Sequence, residues 1–383
     1  MRDRVAIVGV GQAGYSPLTT GLSYRELIFE AALRAYDDAG VDPRKDVDSF
    51  VTVAEDFLEG TSIFDEYVPD QIGGAMRPVQ TIAGDGLFAL ATAYMLIQSG
   101  IAQVVAVEGH SKASDILTPD HILEFALDPV LNRPLGAHPH VLAGLEMVRY
   151  CRATGTTLEQ CAAVVAKNRT NALDNPLAAY PSRVSAADVL AAKQTFSPIT
   201  AMDGPRSADG AIVVVLASEA AADKLTDMPV WVLGAGWAMD TPSLESRSWT
   251  DAVYAQIAAQ KAYEMAGVTP RQDIDLVECD DTWGFKELQH LEALGLARPG
   301  EAGLLTEEGV TARYGDLPVN PSGGSLGMGY LHEANGLARA LELTLQLRGE
   351  AGERQVEDAE VGVAMSWRGV PTASGAVVVL GAD

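Results

Sequence analysis

Residues 35–48 read A-Y-D-D-A-G-V-D-P-R-K-D-V-D, and residues 262–275 read A-Y-E-M-A-G-V-T-P-R-Q-D-I-D. Nine of the fourteen positions are identical, at an offset of 227 residues. A match of this length is too long for chance similarity between two helix–turn–strand segments, so the chain contains two related halves. The last strands of the halves match as well, since G-A-I-V-V-V-L-A at 210–217 corresponds to G-A-V-V-V-L-G at 375–381.

Each half alternates strand-like apolar runs with stretches of helical spacing, which predicts an α/β fold with a mainly parallel sheet covered by helices. The expected halves are residues 1–225 and 226–383, with the crossing between them near 220–229. Between about 116 and 197 the alternation is interrupted by loops and short helices. From the residues alone, this region is also compatible with a helical excursion on the surface.

Composition excludes several classes of function. The chain has 383 residues and a formal net charge of −25, which is unfavourable for nucleic acids or anionic membranes because binding phosphate needs clustered Lys and Arg. No apolar run approaches ~20 residues and no signal-peptide pattern precedes the first strand, so we expect a cytoplasmic, soluble protein. Its cysteines form neither a disulfide framework nor a zinc motif, being only three and widely spaced.

A second informative stretch, residues 320–336, reads N-P-S-G-G-S-L-G-M-G-Y-L-H-E-A-N-G. Five glycines and a proline predict tight turns in which a substrate could approach main-chain N–H groups, with a helix beginning directly afterwards. On glycine content alone, an ordinary loop that enters a helix is an equally good interpretation.

This stretch resembles the glycine-rich catalytic loop of the thiolase superfamily, in the sterol-carrier-protein-type form G-G-x-x-x-x-G-H-P-x-G-A-x-G. Tyr330 stands where that family has its catalytic histidine. Further similarities are N-R-x-x-A-x-x-N-P at 168–176, where Arg169 replaces a second histidine, D-G-P-R-S-A-D-G-A at 203–211, and V-E-C-D-D-T-W at 277–283. The matching loop positions are Gly323, Gly324, Gly329, Ala334 and Gly336.

The resemblance implies the thiolase fold, in which two related αβ halves form a five-layered α-β-α-β-α sandwich. Helices at the pseudo-twofold axis would form the central layer, and residues 116–197 would be the loop region over the substrate channel. Family likeness also implies a homodimer.

The chain departs from the family at its nucleophile. The thiolase cysteine opens a C-A-S-G turn, and the corresponding stretch here is T-I-A-G-D-G at 81–86, which places Ala83 at that position. A second family cysteine is replaced by S-W-R-G-V-P at 366–371. Cys279 lies in a strand-like run, where a buried thiol is more often inert packing. Thiolysis through a covalent acyl-enzyme is therefore not expected.

Binding of an acyl-CoA thioester and stabilisation of its enolate need no cysteine, because backbone N–H groups can supply them. Retro-aldol cleavage of a β-hydroxyacyl-CoA requires these two tasks and a base for the hydroxyl proton. Tyr330 suits that role if neighbouring donors make its phenol more acidic. Thiolase-like aldolases of steroid side-chain degradation similarly have a tyrosine at this position and lack the cysteine. They carry another tyrosine where this chain has Asp280.

Other candidate residues follow from the same likeness. Asp280 is a candidate acid–base partner of Tyr330, whereas Asp281 is expected to cap a helix over 283–287. His332 could reach the same cavity or pack as an ordinary side chain. Asp85 could act on substrate, although anchoring its own turn is the preferred interpretation.

The resemblance implies that the CoA ester contacts Ser322, Gly323, Gly324 and Gly329. CoA enters only as part of the substrate, so we expect no bound cofactor. His138 and His140 could line the channel, but without a carboxylate partner they do not predict a metal site.

Two alternatives to an aldolase remain open at this point. One is a catalytically silent subunit of a heteromeric acyl-CoA complex, since some assemblies of this superfamily contain a relative without the cysteine. The other, less expected, is a thiolase or acyltransferase. Members of this branch often work with a small acyl-CoA-binding protein made of a zinc ribbon and an OB-fold, so a separate partner chain of this kind is expected.

Overall fold

The architecture is described from a computed structural model, for residues 4–55, 64–116, 119–204, 206–241 and 243–382. Its strands are β1 Val5–Ser16, β2 Ser49–Val53, β3 Val79–Ile82, β4 Val104–Lys112, β5 Gln194–Phe196, β6 Ile199–Thr200, β7 Asp209–Ser218, β8 Val230–Met239, β9 Leu276–Glu278, β10 Val361–Trp367 and β11 Ser374–Gly381.

The helices of the described residues are α1 Tyr24–Ala39, α2 Gly86–Gln98, α3 Pro119–Leu123, α4 His140–Thr154, α5 Leu158–Asn171, α6 Ala186–Ala191, α7 Glu219–Leu225, α8 Val253–Ala266, α9 Gly284–Ala293, α10 Ala302–Glu307, α11 Gly324–Met328 and α12 Asn335–Leu347. None of them is long and apolar enough to cross a membrane.

The order of the strands shows the internal duplication. Nine strands of the described chain form one sheet in the order β3-β2-β4-β7-β1-β8-β11-β10-β9. Outward from the centre of this sheet, the second half places β8, β11, β10 and β9 where the first half places β1, β7, β4 and β2. At that centre only two residue pairs, Ala6 with Trp231 and Ile7 with Val230, join β1 to β8. The outer end of the second half continues through an isolated bridge between Val277 and Val319, where the first half has β3. Two copies of one strand arrangement therefore meet at β1 and β8.

The repeated sequence segment has the same structure in both halves. Helix α1 ends at Gly40 and α8 ends at Gly267, and both glycines adopt the left-handed conformation, with φ of 65° and 71°. This cap favours glycine because a Cβ would be strained there. Conservation of the two glycines within the repeat thus reflects a helix end that each half has to make.

The expectation of a mainly parallel sheet was wrong. Among the paired strands of the described chain, β2–β3, β2–β4 and β9–β10 are parallel, whereas β1, β7, β8 and β11 run antiparallel to their neighbours in the large sheet. Strands β10 and β11 are joined by a short connection over 368–373, which can only link antiparallel strands. Strand β7 likewise runs antiparallel to β4.

The sheet faces divide the interior into three cores. Alternate residues of β1 point to opposite sides, so that Ile7 packs in a central core and Ala6 in an outer one. The central core contains α2 and α12 between strands of both halves. Helix α1 covers the outer face of the first half, and α8 and α9 cover that of the second. Five alternating layers result, which agrees with the predicted sandwich.

Residues 119–204 contain helices α3 to α6 and the two short strands β5 and β6, which pair as a small ribbon. Met147 and Tyr150 of α4 and Val164 of α5 are buried in the core of the second half. This region therefore packs on the sandwich, and its first part reaches the cavity described below.

Candidate active site

The glycine-rich stretch 320–336 is fixed by amide side chains from the neighbouring α5 segment. Nδ2 of Asn171 donates to the carbonyl oxygen of Asn320 at 3.0 Å, and Nδ2 of Asn175 donates to that of Ser322 at 2.9 Å. Both amides are buried. The similarity of residues 168–176 to the family pattern thus corresponds to a clamp that sets the path of this loop.

Close packing accounts for the loop glycines. Gly323, Gly324 and Gly329 all have positive φ, between 56° and 113°. A Cβ at Gly323 would lie 2.6 Å from the Cβ of Ala172, and one at Gly329 would lie 2.7 Å from that of Ala208. At Gly324 it would collide with the carboxylate of Asp281. The backbone needs glycine here for its conformation and for space.

The residues predicted to contact CoA lie in this closely packed loop. Ser322 donates its Oγ–H to Oε2 of Glu278 at 2.8 Å and is buried. Together with Gly324 and Gly329 it borders a small internal cavity of about 10 Å³, and Gly323 packs on Ala172. None of the four is among the described residues that line the large cavity. In this structure they contribute to the packing of the loop, and their contact with CoA stays a prediction.

Asp281 caps a helix, but not the one that was expected. Its carboxylate accepts hydrogen bonds from the backbone N–H groups of Ser325 at 2.6 Å and Leu326 at 3.2 Å, at the start of α11. Nδ2 of Asn168 donates to it at 2.8 Å. Helix α9 begins at Gly284, and its N-cap residue Trp283 makes no side-chain cap hydrogen bond. Sequence proximity had suggested α9, whereas the fold brings α11 to the carboxylate.

Asp280 lies in the interior and is not among the lining residues of the large cavity in the described chain. Its Oδ2 is 3.1 Å from Nη2 of Arg339, and its Oδ1 accepts from the backbone N–H of Thr282 at 3.1 Å. The side chains of Asp280 and Arg339 are 0% and 4% exposed. This placement differs from that expected for an acid–base partner of Tyr330 and fits a buried ion pair that joins β9 to α12.

Burial raises the pKa of several carboxyl groups around this loop. It raises the pKa of Asp281 to about 6, and the negative charge of Asp280 is a smaller cause than burial. It also raises the pKa of Glu278 to about 8, with Glu342 adding to the effect. Burial therefore favours the protonated form of Glu278, which reduces the cost of placing it beside Glu342.

This shift predicts a pH-dependent stability. The folded pKa of Glu278 exceeds its unfolded value, so its stabilising contribution is complete at acid pH and is lost as pH rises toward about 8. From about pH 6.5 to pH 8 we expect the loss to be about 2 kcal/mol. Calorimetric melting across this range should show the decline in the wild type and a much flatter profile in Glu278→Gln. Parallel profiles for the two proteins would contradict the assignment.

A large cavity of about 510 Å³ lies where the two halves meet. Its lining comes from the ends of strands in both halves and from the start of the helical region. The lining residues are Glu55, Gly84, Asp85, Leu123, Ala126, His140, Ser207, Met239, Thr282, Trp283, Tyr330, His332, Glu333 and residues 368–374. A volume of this size suits an organic ligand.

Tyr330 faces this cavity and its backbone is fixed on the first half. Its N–H donates to the carbonyl oxygen of Arg206 at 2.9 Å, and its own carbonyl oxygen accepts from the N–H of Ala208 at 3.0 Å. Burial raises the pKa of the phenol, and the carboxylates of Asp280 and Asp85 add to this. The condition for Tyr330 to act as a base, a more acidic phenol, is not met. The raised pKa favours the protonated phenol.

His332 lies beside Tyr330 and lines the same cavity, with ring centroids 4.9 Å apart. Its Nε2 is 3.1 Å from Oγ of Ser207. The backbone of His332 has φ of 49°, a left-handed conformation that costs a non-glycine residue of order 1–3 kcal/mol. Such strain often marks functional positions. Of the two interpretations of His332, the cavity position is the one observed.

Asp85 has the anchoring role that its sequence context favoured. Its Oδ1 accepts from the N–H of Leu87 at 3.0 Å, capping α2, and its Oδ2 accepts from the N–H of Gly336 at 3.0 Å in α12. Burial raises its pKa to about 6. Asp85 therefore links the two central helices, α2 and α12, and it also lines the cavity.

No reactive thiol reaches the cavity. Cys151, Cys161 and Cys279 all lie in the described chain, and none of them lines it. Burial raises the pKa of Cys279 well above its ordinary value, which disfavours its thiolate. Gly84 lines the cavity next to Ala83, so the position of the missing nucleophile borders the site.

Four residues that line the cavity were not predicted from the sequence, namely Glu55, Ser207, Glu333 and Arg368. Glu55 lies two residues after the end of the buried strand β2. A charged residue at such a location is a feature from which a cavity position could have been predicted. Ser207, Glu333 and Arg368 carried no signal of their own beyond the motifs that surround them. Of the two histidines predicted to line the channel, His140 lines the cavity. Its ring packs edge-on against that of Trp283, with ring centroids 5.2 Å apart.

Comparison with known proteins identifies the relatives of the chain. Residues 236–382 match a family model described as thiolase C-terminal domain-like. The chain is 35% identical to an acetyl-CoA acetyltransferase of Methanothermobacter thermautotrophicus over 95% of both chains. It is 32% identical to sterol carrier protein 2 of Homo sapiens, over 94% of this chain and 68% of that one. The solved structure entitled Ltp2-ChsH2(DUF35) aldolase is similar at a TM-score of 0.86 and 25% identity, covering 99% and 98% of the two chains.

Proposed function

Because this chain belongs to the thiolase superfamily, in its sterol-carrier-protein-type branch, we propose that it is an enzyme that acts on acyl-CoA thioesters. Its reaction is retro-aldol cleavage of a β-hydroxyacyl-CoA to a carbonyl compound and a shorter acyl-CoA. The thiolase fold alone does not specify this reaction, because related folds host different chemistries. The proposal therefore rests on the residues in the cavity.

One observation carries the proposal. The cavity brings together the phenol of Tyr330 and the imidazole of His332, and no cysteine lines it. Two groups that transfer protons without a nucleophile suit a reaction that breaks a carbon–carbon bond without an acyl-enzyme. The similarity to a solved aldolase supports the same choice.

The residues can be assigned to steps. The imidazole of His332, oriented by Oγ of Ser207, takes the β-hydroxyl proton of the substrate. The β-carbon becomes a carbonyl as the Cα–Cβ bond breaks, and the electron pair passes to the thioester as an enolate. Tyr330, held protonated by burial, gives its proton to the α-carbon. The neighbouring imidazolium then returns a proton to the phenolate, which restores both groups.

The names of other relatives favour acyl transfer as an alternative. That reaction in a thiolase needs a thiolate to carry the acyl group. Ala83 occupies the corresponding position here, and the three cysteines lie elsewhere. A catalytically silent subunit is a further alternative that the same loss of cysteine accommodates, and the experiment below separates it from the aldolase.

We also propose that the enzyme is a homodimer that works with a separate zinc-ribbon/OB-fold protein which binds acyl-CoA. The name of the similar aldolase, which pairs Ltp2 with ChsH2(DUF35), supports such a two-component arrangement. Activity should therefore be assayed both with the chain alone and with the chain co-purified with a co-expressed partner of this type.

The test of function is a panel of β-hydroxyacyl-CoAs that bear a tertiary alcohol. Carbonyl and shorter acyl-CoA products should appear together in equal amounts, and mass spectrometry of the quenched protein should show no acylated side chain. His332→Gln should lower kcat by about 10²-fold or more, because the base is removed. Leu304→Ala, at an exposed residue away from the cavity, is the control.

Different outcomes separate the candidates. A trapped acyl group on the protein would overturn the non-covalent reaction and favour acyl transfer. Absence of products from every substrate, with and without the partner, would favour the silent subunit. Full activity of a folded His332→Gln protein would exclude the imidazole as the base.

A further inference from the structure

The cavity has an uneven distribution of charge. Among its described lining residues Arg368 carries the fixed positive charge, whereas Glu55, Asp85 and Glu333 carry carboxyl groups. The remaining wall is largely apolar and is formed by Leu123, Ala126, Met239, Trp283, Val370, Pro371 and Ala373. A ligand in this cavity therefore meets a largely apolar wall that includes one arginine.

The guanidinium of Arg368 is already paired with the carboxylate of Glu55. Nε of Arg368 donates to Oε1 of Glu55 at 2.6 Å, and Nη2 donates to the same oxygen. The side chain of Arg368 is 27% exposed and that of Glu55 is 8% exposed, so the guanidinium is the more accessible member of a pair that lines the cavity. The backbone N–H of Arg368 donates to the carbonyl oxygen of Ser374 at 3.1 Å, which fixes the arginine at the start of the β10–β11 connection.

Glu55 is in turn held in place. Its backbone N–H donates to Oε1 of Glu333 at 3.2 Å, so two carboxyl groups border the same end of the cavity. An anionic ligand group approaching Arg368 would have to displace Glu55 and would meet Glu333 next to it. Placing like charges next to each other in a poorly solvated site makes the free energy of binding less favourable. Ligands that bring a negative charge to this part of the cavity are therefore disfavoured.

We propose that Glu55 is a specificity-determining residue: by pairing with Arg368 it makes the cavity select acyl groups that are apolar and uncharged, and reject acyl groups that end in a carboxylate. This inference rests on the proposed function, since it takes the ligand to be a CoA thioester. It concerns the acyl end of that ligand, and it holds for binding irrespective of which bond is then cleaved.

The experiment compares two thioesters of equal chain length, octanoyl-CoA and 7-carboxyheptanoyl-CoA. They share the CoA moiety and differ only in the terminal carboxylate, and neither can be cleaved because neither has a β-hydroxyl group. Their dissociation constants are measured by titration calorimetry with the wild type and with Glu55→Gln. Thermal melting reports whether each protein is folded. The exposed Glu308→Gln is the control for losing one negative charge elsewhere.

In the wild type we expect the neutral thioester to bind at least about tenfold more tightly than the carboxylated one. Glu55→Gln should narrow this ratio by about fivefold or more, through tighter binding of the carboxylated thioester to the released arginine. The double variant Glu55→Gln/Arg368→Met should lose that gain. Glu308→Gln should keep the wild-type ratio.

Equal affinity of the wild type for the two thioesters would overturn the inference, and this measurement needs no variant. An unchanged ratio in a folded Glu55→Gln protein would also overturn it. Discrimination in binding without any cleavage of the β-hydroxyacyl panel would support this inference and count against the retro-aldol reaction. Failure of both thioesters to bind would overturn the inference and the proposed function together.

Discussion

Tyr330→Phe should lower kcat for the proposed cleavage by about 10²- to 10⁴-fold, which is the usual contribution of a positioned acid–base group. Its phenol lies in the cavity next to His332 and is kept protonated by burial, so removal of the hydroxyl leaves the enolate without its donor. KM should change little, because the ring and the backbone bonds of this residue are retained. Steady-state kinetics with the best substrate of the panel provides the measurement.

Tyr314→Phe is the matched control, since Tyr314 is 84% exposed and the same hydroxyl is lost there without effect on the cavity. Melting curves of both variants should resemble that of the wild type. A Tyr330→Phe enzyme with the full kcat would remove the phenol from the mechanism. A loss confined to KM would assign it to substrate binding instead.

Arg339→Met should destabilise the fold by about 3–5 kcal/mol, because it leaves buried carboxylates without their cation. Nη2 of Arg339 is 3.1 Å from Oδ2 of Asp280 and 3.8 Å from Oδ1 of Asp281, and the carboxylate side chains are 0% exposed. Methionine fills a similar volume, so the loss measures the charge and not a cavity. Denaturant unfolding at pH 7.5 gives the free energy.

Arg271→Met is the control for this prediction. Arg271 pairs with Glu301, and the two side chains are 40% and 30% exposed. A pair in contact with solvent contributes about 0–1 kcal/mol, so the control should unfold close to the wild type. Similar losses from both variants would show that burial of the Asp280 pair has no special weight. An Arg339→Met protein of wild-type stability would show that its carboxylates are protonated or repaired by rearrangement.

Much of the fold followed from local sequence. The repeat at 35–48 and 262–275 required two related halves, and the left-handed caps at Gly40 and Gly267 explain why its glycines recur. Strand direction did not follow. Alternation of strands and helices is compatible with several pairings, and the antiparallel β7 and β11 depend on how long connections return across the sheet.

The site was predictable only in part. Tyr330 and His332 were predicted because they interrupt or follow a recognisable glycine pattern, and Asp85 because it lies in the turn that replaces the nucleophile. All three line the cavity, and their catalytic roles stay predictions. The same pattern predicted that Ser322 and its neighbouring glycines contact the ligand, but a glycine needed for packing and one needed for ligand approach have the same sequence signature, so that contact stays a prediction. In this chain Ala172, Ala208 and Asp281 occupy the space beside them.

The sequence by itself determined the duplication, the helix ends and the absence of a cysteine at the nucleophile position, because each of these depends on residues close together in the chain. Only the tertiary structure decided which charges meet. Glu55 and Arg368 are 313 residues apart, and Asp85 bonds to Gly336 across 251 residues. Electrostatic pairing acts through distance and burial in space, which the order of residues along the chain does not contain.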